Sequence, residues 1–388
     1  MNQSPAATRS VLTPFNVVAA IILTGGAAIA LLRFTKGLGA TTNLTNSVPW
    51  GLWIAFDVMT GVALAAGGFV ISSAVYLFGM KEYKPIVRPA ILTGFLGYSL
   101  VVVGLIVDLG RPWRLPYPFV VQAGPTSALF EIALCVMLYL FTLFVEFTPA
   151  AFEWLGWKKW RKVVGSMTIA LTIFGLLLST LHQSSLGAMY LVTPTKLHPL
   201  WYSPYIPVYF FVSAVAAGIS MVIFEGMLSH RIFHDQVEIS HEEFDSITVG
   251  LGKAASVTLA VYLYIKVMGI VLENEWHYLA TPMGGWYLVE LLGFVALPCF
   301  LFLMGYREKK PRLVRVAALV TVIGIVLNRL NVSIIAFNWQ LPAELRYVPR
   351  WMEIWITVSI VTAGVVVFRW IVNHMPILYE HPQYKGMH

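Results

Sequence analysis

Charged residues are scarce in this chain. Asp, Glu, Lys and Arg make up only 12% of its 388 residues, whereas 58% are hydrophobic. A water-soluble protein carries about a quarter charged residues, and no soluble fold of this length can bury so much apolar surface. The apolar runs are also unbroken, which argues against the short alternating segments of a transmembrane β-barrel. The composition therefore predicts an all-α integral membrane protein.

The chain also has few cysteines, and few of its histidines lie within apolar runs. The chain has two cysteines, fewer than the four thiolates that hold an iron–sulfur cluster. A b-type haem in a membrane usually takes two axial histidines, and only His182 of the nine histidines lies near the interior of an apolar run. No metal-ligand spacing is present, and no basic tract with interleaved aromatics indicates nucleic acid. We therefore predict no haem, no iron–sulfur cluster and no metal in this chain.

Apolar stretches long enough to cross a bilayer, about twenty residues, occur about ten times. The first also has features of a secretory signal peptide, but we interpret it as a transmembrane helix. The predicted helices cover 14–33, 50–79, 88–108, 126–147, 163–182, 206–229, 250–272, 284–304, 313–336 and 350–372.

Lysine and arginine are distributed unevenly between the two sides of these helices. Seventeen of the 26 lie on the side of the N-terminus and C-terminus, and seven lie on the other side. Positive charge is retained in the cytoplasm. We therefore expect a multi-pass protein of a bacterial inner membrane with a cytoplasmic N-terminal segment, 1–13, and a cytoplasmic tail that closes the region 350–388.

A faint internal repeat suggests how the helices are grouped. "PWGLWIAFDVMTGVALA" at 49–65 resembles "IPVYFFVSAVAAGISMV" at 206–222, and both segments cross the membrane in the same direction. The repeat predicts two four-helix bundles side by side, formed by 50–182 and 206–336. The helices at 14–33 and 350–372 would flank them.

Polar side chains lie inside the predicted spans, where an ionisable group is costly and is a functional candidate. Asp57, Glu131 and His182 belong to the second, fourth and fifth spans, and His182 lies at the predicted outer end of its span. With Tyr98, Gln183, Ser184 and Ser185 they are expected to line one pocket near the outer surface. The serines could instead bond back to helix carbonyls, and Asp108 could form a surface ion pair with Arg111.

Other intramembrane charges fall outside this group. Glu146 and Glu225 lie toward the cytoplasmic side and are candidates for a proton path. Lys266, Glu290, Arg329 and Glu353 lie in the outer half of the last four spans, where we interpret them as structural pairs of opposite sign.

The outer loops are rich in Trp, Tyr and Pro. Part of this enrichment is the usual aromatic belt of a membrane protein. The rest is typical of a surface on which a partner docks, with Arg111, Trp113, Trp201 and Tyr202 as the candidate contacts.

Carboxyl groups, an imidazole and hydroxyls in a lipid-accessible pocket suit quinone reduction. Each quinone oxygen must be hydrogen-bonded and takes up a proton as electrons arrive. Because the chain has no redox centre of its own, the electrons would come from a partner. A secondary transporter is the alternative class, since it also has helix repeats and buried charges, although its polar groups would lie at mid-membrane.

Several motifs resemble one known family. "VPWGLWIAFD", "VRPAILTGFLGYSL", "DLGRPWRLPY", "FE" at 130–131, "TLHQSSLG" and "HPLW" are similar to the NrfD/PsrC-type integral membrane subunits. Among these the closest are the HybB-type subunits of periplasm-facing nickel–iron hydrogenases. The similarity runs from about residue 33 to 240 and is weaker afterwards.

The resemblance implies a haem-free subunit that exchanges electrons between menaquinone or ubiquinone and a periplasmic four-cluster iron–sulfur subunit. It places the quinone site in the first bundle and implies quinone or proton-handling roles for His182, Asp57, Glu131, Gln183 and Tyr98. The expected partners include the hydrogenase large and small subunits. A multihaem cytochrome c complex, which uses a similar subunit, remains open as the alternative.

Overall fold

The structure, a computed structural model, describes residues 13–379 except 47 and 49, together with 381 and 384. The predicted cytoplasmic N-terminal segment, except for its last residue, and most of the tail after 379 lie outside the described residues. So does Pro49, the first residue of the repeat.

Ten helices in the described part of the chain are long and apolar enough to cross a membrane, which confirms the predicted all-α membrane fold. In chain order, α1 to α10 are Pro14–Lys36, Trp53–Tyr76, Lys81–Asp108, Ala128–Leu155, Thr168–Val192, Ile206–Ile232, His241–Leu272, Pro282–Arg307, Pro311–Ile335 and Trp351–His374. We call the end of the molecule at which α1 begins the N-terminal face, and the other end the opposite face.

Capping residues determine where several helices begin. The Thr13 side chain accepts a hydrogen bond from the backbone N–H of Asn16, and Pro14 follows as the first helical residue of α1. Thr281 and Pro282 repeat this arrangement at the start of α8. A hydroxyl at the cap satisfies a backbone N–H that has no partner in the helix, and the fixed φ of proline suits the first turn.

The helices pack in two rings. Helices α2, α3, α4 and α5 each contact the next, and α5 contacts α2; helices α6 to α9 close a second ring in the same way. Helix α1 packs on α10, which lies against α3. This packing supports the proposal that 50–182 and 206–336 are two bundles.

The two rings meet where α2 and α5 pack on α6. Helices α2 and α6 carry the internal repeat. A Cβ atom added at Gly218 would lie 2.6 Å from the backbone nitrogen of Gly67. Only glycine allows the two backbones to approach so closely, as is common between membrane helices.

The predicted boundaries of α5 are wrong. The prediction ended this span at 182, but the helix runs from Thr168 to Val192 and is preceded by a separate helix, Lys158–Ser166. Val163 and Val164 extend the apolar run across the break between the two helices, so hydropathy does not detect it. His182 consequently lies ten residues before the end of α5 rather than at its last residue.

Several other helices extend beyond their predicted ends. Helix α4 continues to Leu155 instead of ending at 147, and α7 begins at His241 instead of 250. The prediction followed apolar composition, whereas helix hydrogen bonds continue through polar residues outside the lipid.

Three segments of π-helix, which the sequence did not predict, interrupt the membrane helices. They are Trp53–Thr60 in α2, Val289–Ala296 in α8 and Asn331–Ile335 in α9. A π-helical turn widens the helix and is frequent at functional sites. The first two contain intramembrane acids, Asp57 and Glu290.

Candidate functional site

The centre of the first ring contains a buried histidine–tyrosine pair. His182 has 0% of its surface exposed. Its Nδ1 lies 2.7 Å from the carbonyl oxygen of Leu178. A carbonyl can only accept, so Nδ1 carries the hydrogen and Nε2 has a free lone pair. The hydroxyl of Tyr98 donates a short hydrogen bond to that nitrogen.

Three further residues surround this pair. The ring of Tyr139 packs edge-on against Tyr98, with centroids 4.7 Å apart, and Ser179 lies one turn before His182 on α5. The Gln183 amide donates to the carbonyl oxygen of Val62 at 3.0 Å, which fixes α5 against α2. We call Tyr98, Tyr139, Ser179, His182 and Gln183 the His182 cluster.

Asp57 belongs to a different group, nearer the opposite face. Its Oδ2 accepts a hydrogen bond of 2.8 Å from Thr357 of α10. Gly104 of α3 makes room for it, because a Cβ there would lie 2.8 Å from that of Asp57. Arg33 donates to the backbone oxygens of Val107 and Leu109 at the end of α3.

Asp108 completes this group, which we call the Asp57 cluster: Arg33, Asp57, Asp108 and Thr357. Its Oδ1 is buried without a hydrogen-bond partner, and Arg33 is its attracting positive charge. Arg111, the alternative partner for Asp108, is exposed.

The expected single pocket is therefore two clusters separated along α3. Tyr98 and Gly104 are six residues apart, about 9 Å along the helix axis, and they lie on different sides of it. Among the described residues no hydrogen bond joins Asp57 to His182. The structure places His182 with Tyr98 and Gln183, but it places Asp57 with the flanking helix α10.

Glu131 and the two serines lie near the opposite face. Glu131 is exposed in the first turn of α4, and its Oε1 accepts a hydrogen bond of 2.8 Å from Ser185. Ser185 also bonds back to the carbonyl oxygen of Leu181 at 3.0 Å. Ser184 is half-buried. These residues do not join either cluster.

A large cavity opens at the N-terminal face, with a volume of about 1140 Å³. Glu146 and Glu225, the two acids predicted for a proton path, both line it. Thr172 donates to Glu146 at 3.4 Å and Ser229 donates to Glu225 at 2.5 Å. The basic residues of the lining are Lys81, Lys84, Arg88, Arg161 and Lys162.

The predicted ion pairs of the second ring are not direct pairs. Glu290 accepts hydrogen bonds from the side chains of Trp201, Asn328 and Asn331. Arg329 donates to Asn328, Ser213 and the carbonyl oxygen of Phe210. The Lys266 ammonium lies over the rings of Tyr209 and Tyr287, 5.2 and 5.0 Å from their centroids.

Glu353 is held at the start of α10 in a similar way. It accepts from the Tyr347 hydroxyl and from the backbone N–H groups of Arg350 and Asn43. Both acids are thus compensated mainly by neutral donors, which a sequence pattern of charges cannot reveal.

Trp201 is a correction to the predicted docking surface. Only 1% of it is exposed, because its indole N–H donates to Glu290 at 2.8 Å. A tryptophan near a membrane surface usually belongs to the aromatic belt or to a docking surface. Trp201 instead lies in the protein interior and donates a hydrogen bond. Trp113 remains 70% exposed, Arg111 is exposed and Tyr202 is half-buried.

We predict that Trp201→Phe destabilises the protein by about 1–3 kcal/mol, the cost of leaving a buried acceptor with one bond fewer. Thermal unfolding in detergent measures this change. Association with partner subunits should be unaffected at temperatures where the variant is folded. Loss of partner binding with unchanged thermal stability would contradict the structural role.

Tyr139 and Ser179 were missed by the sequence analysis. Neither is charged, and Ser179 was indistinguishable from the other hydroxyls around His182. The spacing along the helix could have identified Ser179. It precedes His182 by three residues and Gln183 by four, so all three side chains lie at neighbouring positions on one helical face.

Ten membrane helices, two rings and buried ionisable side chains define a polytopic membrane protein with an ionisable interior. Residues 40–338 match the family model described as "Polysulphide reductase, NrfD". The chain therefore belongs to the NrfD family.

Three relatives cover nearly the whole chain. A protein of Nitratidesulfovibrio vulgaris, whose name states no function, is 58% identical over 98% of both chains. The "Probable Ni/Fe-hydrogenase 2 b-type cytochrome subunit" of Escherichia coli is 32% identical, covering 89% of this chain and 88% of its own. The "Menaquinone reductase, integral membrane subunit" of N. vulgaris is 28% identical, covering 90% and 87%. The resemblance to HybB-type subunits is thereby confirmed.

Proposed function

We propose that this chain is the haem-free, quinone-reactive membrane subunit of a respiratory redox complex. The observation that carries the proposal is the buried hydrogen bond between Tyr98 and His182 inside the first ring, in a chain whose relatives include a menaquinone reductase subunit. A buried phenol–imidazole pair can hold and pass a proton without a metal or an exposed charge.

The quinone headgroup would bind between the two clusters, with one carbonyl toward Asp57 and the other toward His182. Reduction consumes two electrons and two protons and forms a quinol. The Tyr98 hydroxyl can rotate to donate to a carbonyl, while the Asp57 carboxyl serves the other oxygen.

The electrons would come from a periplasmic iron–sulfur subunit, because this chain has too few cysteines for a cluster. The exposed Arg111 and Trp113 offer a docking surface at the opposite face. The relative from E. coli favours the hydrogenase large and small subunits as further partners. A multihaem cytochrome c complex is the alternative assembly.

A haem does not fit the first ring. His182 is the only histidine between residues 50 and 192, and both of its ring nitrogens are engaged in hydrogen bonds. Two facing histidines are the usual requirement for a membrane b-type haem. We therefore propose that no haem is bound, although one relative is named a b-type cytochrome subunit.

Proton uptake would occur from the N-terminal face. The excess of Lys and Arg on that side favours a cytoplasmic location in a bacterial inner membrane, and the cavity with Glu146 and Glu225 opens there. If quinone is reduced near the opposite face with protons drawn from this side, charge moves across the membrane. The work of moving each charge is about 2.3 kcal/mol per 100 mV of membrane potential.

The experiment that tests this function is purification of the assembled complex followed by solvent extraction. We expect menaquinone or ubiquinone in the extract and no Soret band that follows this subunit after its partners are removed. A Soret band retained by the isolated subunit would contradict the haem-free proposal. A complex that neither contains quinone nor reduces it would contradict the quinone role.

A further inference from the structure

The short helix Lys158–Ser166 joins α4 to α5 at the N-terminal face and combines basic with aromatic side chains. Of its nine residues, only Arg161 is buried. Trp157, which caps the helix, and Trp160 are 51% and 58% exposed. An amphipathic helix with lysines and tryptophans is typical of a segment at the surface of a lipid bilayer, where indole rings lie at the level of the headgroups.

Cationic side chains gather where this helix meets the start of α3. Arg88 donates two hydrogen bonds to Glu153, of 2.8 and 2.9 Å, and Arg161 donates a third to the same carboxylate at 3.1 Å. Two guanidinium groups share one buried carboxylate, so the group retains a positive charge. Together with the neighbouring lysines it forms the basic side of the large cavity, which we call the basic cluster: Lys81, Lys84, Arg88, Arg161 and Lys162.

Two lysines of the basic cluster are available to a ligand. Lys81 and Lys162 are exposed, and within the part of the chain that the structure describes neither forms an ion pair. Glu146, the acid of α4 in the cavity lining, is seven residues from Glu153, about 10 Å deeper along the helix. The other acids of the lining, Glu225, Glu238 and Glu243, belong to α6, the segment after it and α7. The first-ring side of the cavity mouth is therefore suited to an anion.

An apolar strip leads from the cavity along the outside of α5. Ile169 lines the cavity, and it is followed at every fourth residue by Ile173, Leu177 and Leu181. All four are exposed, between 45% and 59%. Residues four apart share one helical face, so these side chains form a surface toward the lipid. The strip is about 18 Å long, close to the depth of hydrocarbon in one leaflet, about 15 Å.

We propose that an anionic phospholipid binds at this place, with its phosphate against the basic cluster and one acyl chain along the strip on α5. The strip favours a lipid over a soluble phosphate compound, because a soluble anion would leave the apolar side chains uncovered. Basic pockets between membrane helices are a recurrent means of recognising anionic headgroups. The site is separate from the proposed quinone site and does not depend on it.

The test is a lipid titration of the delipidated, assembled complex, followed by native mass spectrometry. We expect phosphatidylglycerol, which is anionic, to bind more tightly than phosphatidylcholine, which has no net charge. The double substitution Lys81→Gln and Lys162→Gln should weaken phosphatidylglycerol binding by about 30-fold, the usual contribution of two lysines to attraction by anionic lipid. The matched control is Arg231→Gln with Arg312→Gln, which removes two exposed cations of the same face that do not line the cavity. It should bind phosphatidylglycerol as the wild type does.

Equal affinity for the two lipids would overturn the proposal, and so would equally tight binding of phosphatidylglycerol by the lysine variant and the control. Inorganic phosphate in excess should leave bound phosphatidylglycerol in place, because it has no acyl chain. Displacement by phosphate alone would assign the site to a soluble anion instead. All of these outcomes concern binding and leave the quinone role untouched.

A second measurement uses the wild-type complex and needs no variant. Phosphatidylglycerol with a diazirine in one acyl chain is photolysed in proteoliposomes, and mass spectrometry locates the labels. We expect labels within 169–181 that excess phosphatidylglycerol removes and excess phosphatidylcholine does not. Val358, Val361 and Val365 of α10 are also exposed, and labels there should respond equally to the two lipids. The same response at both surfaces would overturn the proposal, because it would indicate contact with bulk lipid alone.

Discussion

Replacing Asp57 by asparagine slows quinone turnover of the assembled complex by about 10²-fold or more, the scale of lost general acid catalysis. Asparagine has nearly the same shape, and its amide oxygen can still accept the hydrogen bond from Thr357. It cannot carry a proton to a quinone oxygen. We therefore expect normal assembly and normal reduction of the partner's iron–sulfur clusters, with the loss confined to the quinone step.

Thr357→Val is the matched control for this prediction. It removes the hydrogen bond to Asp57 but retains the carboxyl group and the volume of the side chain. Its turnover should stay much closer to that of the wild type. If Asp57→Asn turns over at the wild-type rate, Asp57 is structural and only anchors α10 to α2.

Tyr98→Phe has the second large effect, a loss of about 10²-fold in quinone turnover. The phenyl ring preserves the packing against Tyr139, but the hydroxyl that donates to His182 is removed. His182 then keeps its bond to Leu178 and has no partner at Nε2. The measurement is steady-state quinone reduction with the electron donor in excess, accompanied by thermal unfolding.

Tyr190→Phe provides the comparison for Tyr98. The Tyr190 hydroxyl is equally buried and bonds to Ser333 at 2.8 Å and to the Met59 sulfur at 3.2 Å, so both substitutions remove buried hydrogen bonds, at a cost in stability of about 1 kcal/mol per bond. Only Tyr98→Phe should slow turnover. Equal turnover of the two variants would mean that the Tyr98–His182 bond is structural.

Much of the fold is predictable from the sequence. The lipid core requires about twenty apolar residues per helix, so the ten spans are visible in hydropathy alone. The ends of the helices are harder to predict, because the helix Lys158–Ser166 and the first turns of α7 consist largely of polar residues. The π-helical turns leave no compositional trace, since Trp53–Thr60 is as apolar as an ordinary span.

The candidate site was predictable only as a set of residues. His182, Asp57 and Tyr98 stand out because ionisable or phenolic side chains within a membrane are costly. Their grouping depends on which face of each helix turns inward and on where each helix ends, since α5 continues ten residues beyond His182. Glu290 shows the same limit, since its donors are neutral residues from two different segments, Trp201 before α6 and Asn328 and Asn331 in α9.

Photolabelling with a quinone analogue shows directly whether a quinone binds in the first ring. The assembled complex is irradiated with an azidoquinone bound, and the labelled peptides are identified by mass spectrometry. We expect labels on α2, α3 and α5 near Asp57, Tyr98 and His182, and competition by unlabelled quinone should remove them. Competable labels confined to the second ring, around Lys266 and Glu290, would contradict it.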